Sequence, residues 1–213
     1  MDLFENRIVE KSGRTVEEAV ELALIALEAN RDQVEIEVLE ESSKGFLGIF
    51  GGKEATVRVT YLKGVEEIAT EFLTTVLDEM GIDASLNTAL NDHELSVEMA
   101  GEHMALLIGR RGQTLDSLQY LLSLVVNKNS DDYYRVILDT EGYRAKRKDT
   151  LERLADRLAR KAKKTRKDII LEPMNPYERR IIHSSLQNNP YVSTRSEGEE
   201  PYRKVIIFLN RRK

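Results

Sequence analysis

Ile108-Gly109-Arg110-Arg111-Gly112 sets two arginines between two glycines, with Leu107 before the run and Leu115 after it. Glycine has no Cβ, so such a turn lets backbone N–H groups come close to a ligand. A helix that begins after Gly112 aims its unpaired N–H groups and the positive end of its dipole back at the turn. Arg110 and Arg111 add charge at the same place, and the chemistry this favours is a non-covalent grip on phosphate. A second pair, Arg179 and His183, lies four residues apart in a segment of helical pattern, which puts both on one face. Arg179 can fork onto a phosphate, His183 can donate or accept beside it, and Arg180 adds an adjacent cation. His183 can equally be a buried, hydrogen-bonded structural histidine, and both roles stay open.

The same residues speak against catalysis. The three histidines, His93, His103 and His183, fall on separate elements, and the chain has no cysteine. Disulfides and thiolate metal sites are thereby excluded, and no metal or cofactor is expected. Ser184 and Ser185 adjoin His183, but sequence neighbours on a helix do not face one another, so a Ser-His pair there is a poor nucleophile. The glycine-rich run from Lys44 to Lys53 is not a nucleotide loop. A Walker pattern ending in Gly52-Lys53 needs glycine where Leu47 stands and Ser or Thr where Glu54 stands. Its apolar residues, Phe46, Leu47, Ile49 and Phe50, with Lys44, either cover the end of a sheet or form a docking surface for a protein partner.

Hydrophobic periodicity supplies the elements that must hold these residues. Residues 1–62 read as β-α-β-β: a short strand at Arg7–Lys11, then a helix from Val16 to Ala29 opened by the capping box of Thr15 and Glu18. Two alternating strands follow, at Val34–Val38 and Ala55–Tyr61. Lys63-Gly64 is the linker candidate. Residues 63–140 read as α-β-β-α-turn-α-β. Their helix from Val65 ends before Gly81, a hairpin turns at Asn91-Asp92-His93, and a short apolar helix from His103 to Ile108 leads into the Gly-Arg-Arg-Gly turn. A helix from Leu115 to Asn127 and a strand from Tyr133 to Leu138 complete the segment. Residues 141–213 read as α-β-α-β-β, with a long basic helix from Glu141 to Lys164 and a strand at Asp168–Glu172. Asn175-Pro176 then opens a helix to Gln187, and Val192–Arg195 pairs with Lys204–Asn210. The fold class is α+β, three small domains in tandem.

At 213 residues, 41% hydrophobic and 32% charged, the chain is globular in composition. It has no apolar run near 18 residues and no signal-peptide pattern, so the expectation is a cytoplasmic protein without membrane insertion. The net charge of −5 is unevenly distributed. Residues 1–62 carry 7 Lys/Arg against 13 Asp/Glu, residues 63–140 carry 5 against 14, and residues 141–213 carry 20 against 10. A basic last third on an acidic protein points to a polyanion partner. The Gly-Arg-Arg-Gly turn therefore sits in the most acidic third.

With that element order around Ile108-Gly109-Arg110-Arg111-Gly112, residues 63–140 resemble a KH domain of bacterial topology (α-β-β-α-α-β). The resemblance implies a clamp for about four nucleotides of single strand, with Ile108 and Leu115 mostly packing the groove floor. Residues 141–213, with Arg179 and His183 on the helix after Asn175-Pro176, resemble the single-stranded nucleic-acid-binding domain named for its Arg-x-x-x-His motif, here the RxxxH domain. The head's Lys44-to-Gly51 loop is similar to the N-terminal signature of the Jag family of SpoIIIJ-associated bacterial proteins, and the three domains in this order resemble that family over essentially the whole chain. The resemblance implies binding of single-stranded RNA, with single-stranded DNA not separated from it, and a regulatory role linked to the cell envelope. It also implies a homo- or heteromeric partnership with another KH protein and a membrane-associated protein partner for the head. The chain departs from many members in having almost no linker after the head. The second reading is an adaptor that docks proteins through the head loop and the KH surface.

Overall fold

The computed structural model describes residues 7–43, 53–130 and 132–210. The proposed docking loop, with Lys44, Phe46, Leu47, Ile49 and Phe50, lies outside them. The chain forms two compact units: residues 1–104 with 115–138, and residues 105–114 with 139–213.

The first unit begins with β1 (Ile8–Gly13), α1 (Val16–Leu27), β2 (Val34–Glu40) and β3 (Ala55–Tyr61). The strands form an antiparallel sheet in the order β1-β3-β2. Strict alternation puts Val57, Val59 and Tyr61 of the central strand on the buried face, against Ala19, Val20, Ala23 and Leu27 of α1. The opposite face stays wet, where Arg58 bridges Glu10 and Glu37 on the two flanking strands (2.8 and 2.9 Å). The Thr15 hydroxyl accepts from Glu18 N as the capping pattern predicts, but the Glu18 carboxylate reaches back to Arg14 N, one residue beyond the expected donor.

Next come α2 (Val65–Glu79), β4 (Ala84–Asn91), β5 (Glu94–Gly101), α3 (Met104–Ile108), a 3-10 turn (Arg110–Gly112), α4 (Gln113–Lys128) and β6 (Arg135–Thr140). Lys63-Gly64 is less a linker than a junction: Gly64 occupies the N-cap of α2, and Lys63 pairs with Glu71 at 2.6 Å. The sheet order is β4-β5-β6. Leu95, Val97 and Met99 of the central strand are buried, as are Ile68, Leu73 and Leu77 of α2 and Leu115, Leu118, Leu122 and Val126 of α4. Asn127 fixes the approach to β6 by accepting from Tyr134 N (2.7 Å) and donating to Tyr134 O (2.9 Å).

The second unit, which takes in residues 105–114 with most of α3 and the 3-10 turn, continues with α5 (Tyr143–Thr165), β7 (Ile169–Ile170), α6 (Pro176–Leu186), β8 (Val192–Glu197) and β9 (Lys204–Leu209). The sheet is antiparallel in the order β7-β9-β8. Leu151, Ala155, Ala159 and Ala162 of α5 share one core with Ile181, Ile182 and Leu186 of α6 and with Val192, Val205 and Ile207. The alanines give α5 a low ridge on its packed side, so long side chains from α6 fill the space. Two expectations shift here. α5 starts at Tyr143, since Glu141 and Gly142 both adopt left-handed φ (52° and 64°) and turn the chain out of β6. The strand expected at Asp168–Glu172 keeps two residues. Beyond them Leu171 N and Met174 N still donate to the carbonyls of Val205 and Arg203, holding an irregular edge beside β9 up to and past Pro173.

Candidate nucleic-acid interface

The Gly-Arg-Arg-Gly turn has the backbone its glycines predict. Gly109 (φ 67°, ψ −165°), Arg111 (φ 59°, ψ 30°) and Gly112 (φ 82°) all lie at positive φ. A side chain is excluded at both glycines for separate reasons. A Cβ on Gly109 would overlap Thr114, at the start of α4, and one on Gly112 would stand 2.7 Å from the ring of Tyr143. Tyr143 belongs to the first turn of α5, so the turn is backed by that helix. Ile108 is half-buried and Leu115 fully buried.

The two arginines are not equivalent. Arg110 extends outward, with 79% of its side chain exposed. Arg111 turns inward at 31% exposure, pairs with the Glu172 carboxylate through Nη2 and donates from Nη1 to the Pro173 carbonyl at 3.4 Å. Glu172 also stands 3.9 Å from Arg110. The Arg111 guanidinium, through its hydrogen bond and then its charge, holds the Glu172 carboxyl below the usual carboxylate range, with a smaller push from Arg110. Nothing in the local sequence marks Glu172, since its partners lie 61 and 62 positions away.

On α6 the expected pair is present but engaged internally. Asn175 caps the helix by accepting from Glu178 N (2.8 Å), with Pro176 in the first turn. Arg179 leaves 10% of its side chain exposed, and its guanidinium donates to Met174 O (2.9 Å) and to Glu200 Oε1 (2.6 Å). The fork expected of Arg179 is therefore occupied by Met174, just ahead of α6, and by Glu200 in the β8–β9 loop. The nearby Arg147–Glu178 pair (2.7 Å) likewise turns a basic residue of α5 inward to α6. Arg180 is the exposed cation of this helix. His183, half-buried, contacts Thr194 Oγ1 through Nδ1 (2.6 Å) and Ser196 Oγ through Nε2 (2.8 Å). Burial, followed by the nearby charge of Arg179, lowers its pKa below the ordinary histidine value. The ring is held between two hydroxyls, at the edge of a hollow of about 360 Å³ lined by His183, Ser184, Leu186, Gln187, Ser193 and Thr194.

Positive surface is concentrated on α5. Lys146, Arg153, Arg157 and Lys164 recur at steps of seven and four, so they stack on one face opposite Leu151, Ala155 and Ala162. All four are exposed, as is Arg160 alongside them. Among the described residues there is no group of three or more His, Asp or Glu able to hold a metal ion, and no helix long and apolar enough to cross a membrane.

Comparison with known proteins follows the same three-part division. The Jag N-terminus family matches residues 11–61, the KH domain of KhpA/KhpB matches residues 66–138, and the RxxxH domain family matches residues 149–209. A protein named RNA-binding protein KhpB from Clostridium symbiosum is 53% identical over 206 residues, covering 96% of this chain and 92% of that protein. Its namesake in Bacillus subtilis is 41% identical over 207 residues, covering 96% of this chain and all of that one. A Streptococcus pneumoniae protein of the same name is 28% identical over 185 residues and is matched over 52% of its own length. Three domain families in the order that the folded chain displays, together with identity above one half to a relative covered almost end to end, show that the chain belongs to the KhpB family.

Proposed function

We propose that the protein binds single-stranded RNA without transforming it, gripping the backbone at Gly109–Gly112 and drawing the strand in through the basic face of α5. The observation that carries this is the clamp turn. Three residues at positive φ and two Cβ-excluding glycines hold Arg110 outward at the start of α4. That arrangement suits a phosphate and offers no group for bond making or breaking. The names and domains of the relatives support RNA as the polymer. Two modest sites on one chain reach useful affinity through effective concentration when both engage one strand. Arg180 is the candidate contact on α6, and Arg179 and His183 act by shaping the domain. In the cysteine-free chain nothing depends on an oxidising compartment, which suits work in the cytoplasm.

The test is a titration of labelled single-stranded RNA, competed with single-stranded DNA of the same sequence. Arg110→Asp with Arg111→Asp should abolish most binding while leaving the circular dichroism spectrum unchanged. Wild-type affinity in that double variant removes the clamp assignment. A partnership between KH surfaces is compatible with the same reading. On α4, Tyr120, Leu121 and Leu124 are exposed at 65%, 49% and 51%, an apolar stripe suited to another subunit. Equilibrium sedimentation of the free protein decides whether it self-associates.

A further inference from the structure

The clamp already holds an anion. Glu172 leaves β7 on the irregular edge before Pro173, and its carboxylate rests on Arg111 with Arg110 3.9 Å away. The Pro173 carbonyl accepts from the second terminal nitrogen of Arg111, so this guanidinium faces two oxygens of one short segment. A carboxylate and a phosphate each offer anionic oxygen acceptors that an arginine fork can take. Glu172 remains 64% exposed, so it is free to withdraw when a better anion arrives. Proline at 173 and the bond from Met174 N to Arg203 O keep the segment against the start of β9 rather than loose in solvent.

We propose that Glu172 is an internal phosphate mimic that occupies Arg111 until a nucleic-acid strand displaces it, and so sets which anions the clamp accepts. This rests on the reading of the turn as a phosphate clamp. A tethered carboxylate acts at high effective concentration, so isolated phosphate or a mononucleotide competes poorly. A strand gains further contacts as it displaces Glu172, through Arg110 and the basic helix, and prevails. The residue thus discriminates polymer from free anion, a selectivity determinant outside the Gly-Arg-Arg-Gly motif.

The experiment titrates the full chain with a fluorescent oligouridylate, with inorganic phosphate and uridine monophosphate as competitors. Glu172→Gln should bind the oligouridylate about two- to fivefold more tightly, the effect expected from removing one exposed ion-pair competitor. It should also become more sensitive to both small competitors. In an Arg111→Ala background the same substitution should gain much less, since its main partner is gone. Glu199→Gln, an exposed acid in the same domain, controls for net charge. The proposal is overturned if Glu172→Gln binds equally or more weakly, if it gains as much without Arg111, or if Glu199→Gln gains as much. If the wild-type chain does not bind the oligouridylate at all, the clamp reading itself fails, and the proposal with it.

Discussion

Arg179 and Arg180 are consecutive on α6 and have opposite surroundings. The guanidinium of Arg179 joins the Met174 carbonyl to Glu200, whereas Arg180 faces solvent. Arg179→Ala leaves a shielded carbonyl without its donor and a carboxylate without its partner. It should lower stability by about 1–3 kcal/mol, read from the urea midpoint, with the salt dependence of RNA binding unchanged. Arg180→Ala should leave stability within about 0.5 kcal/mol and reduce the salt slope by roughly 0.7, the share of one single-strand phosphate contact. A reversed pattern would return Arg179 to the binding surface. His183 permits a second test. Its pKa in the folded chain lies below its unfolded value of about 6.5, so the unfolded state binds the proton more readily. The contribution of His183 is therefore complete above about pH 6.5 and is lost as pH falls from there through the folded value. The wild-type urea midpoint should drop more steeply between neutral and mildly acidic pH than that of His183→Asn. Parallel curves would mean that the ring titrates normally.

The turn between α3 and α4 shows how two short elements depend on a third. Gly112 lies at φ 82° with the Tyr143 ring where a side chain would go. Gly112→Ala thus combines left-handed strain with a steric overlap, a cost of about 1–3 kcal/mol. It should weaken RNA binding as the turn reopens, as unfolding and binding curves on the same sample will reveal. Retained stability and affinity would show that the turn tolerates another backbone. The turn was readable from sequence because glycine identity, apolar flanks and helix period are all local signals. α1, α2, α4 and α5 followed from 3.6-residue spacing, and β3 from alternation. What escaped was set at a distance. Tyr143 under Gly112 is separated from it by a helix and a strand, and Arg179 finds Glu200 across 21 positions. The turn of Glu141-Gly142 is a backbone conformation that Glu141 does not advertise. For the same reason spacing could put Arg179 and His183 on one face, yet could not say that the face was already occupied.

Charge is divided so unevenly along the chain that, on the proposed reading, the clamp and the attraction come from different parts of it. Residues 1–140 carry 12 Lys/Arg against 27 Asp/Glu, whereas residues 141–213 carry 20 against 10. For a single strand, each neutralised phosphate contributes about 0.7 to the salt slope, and most affinity at moderate salt comes from this term. Arg110 alone offers the clamp one outward cation while Glu172 holds Arg111. The exposed stripe of Lys146, Arg153, Arg157 and Lys164 offers four along a single helix face. Replacing those four with glutamine should therefore reduce the slope by about 2 to 3 and lower affinity far more than Arg110→Ala does. Glutamine keeps helix propensity, and the positions lie opposite the packed alanines, so the unfolding midpoint should hold. The two variants also separate grip from attraction. Raising the salt should erase most of the difference between the glutamine variant and wild type, since that difference is counterion release. The loss in Arg110→Ala should persist in part, because a directed hydrogen bond to a held phosphate survives screening better than a diffuse field. If the four-glutamine chain keeps the wild-type slope, the basic helix is only a solvated face, and the acidic KH domain must bind its strand unaided.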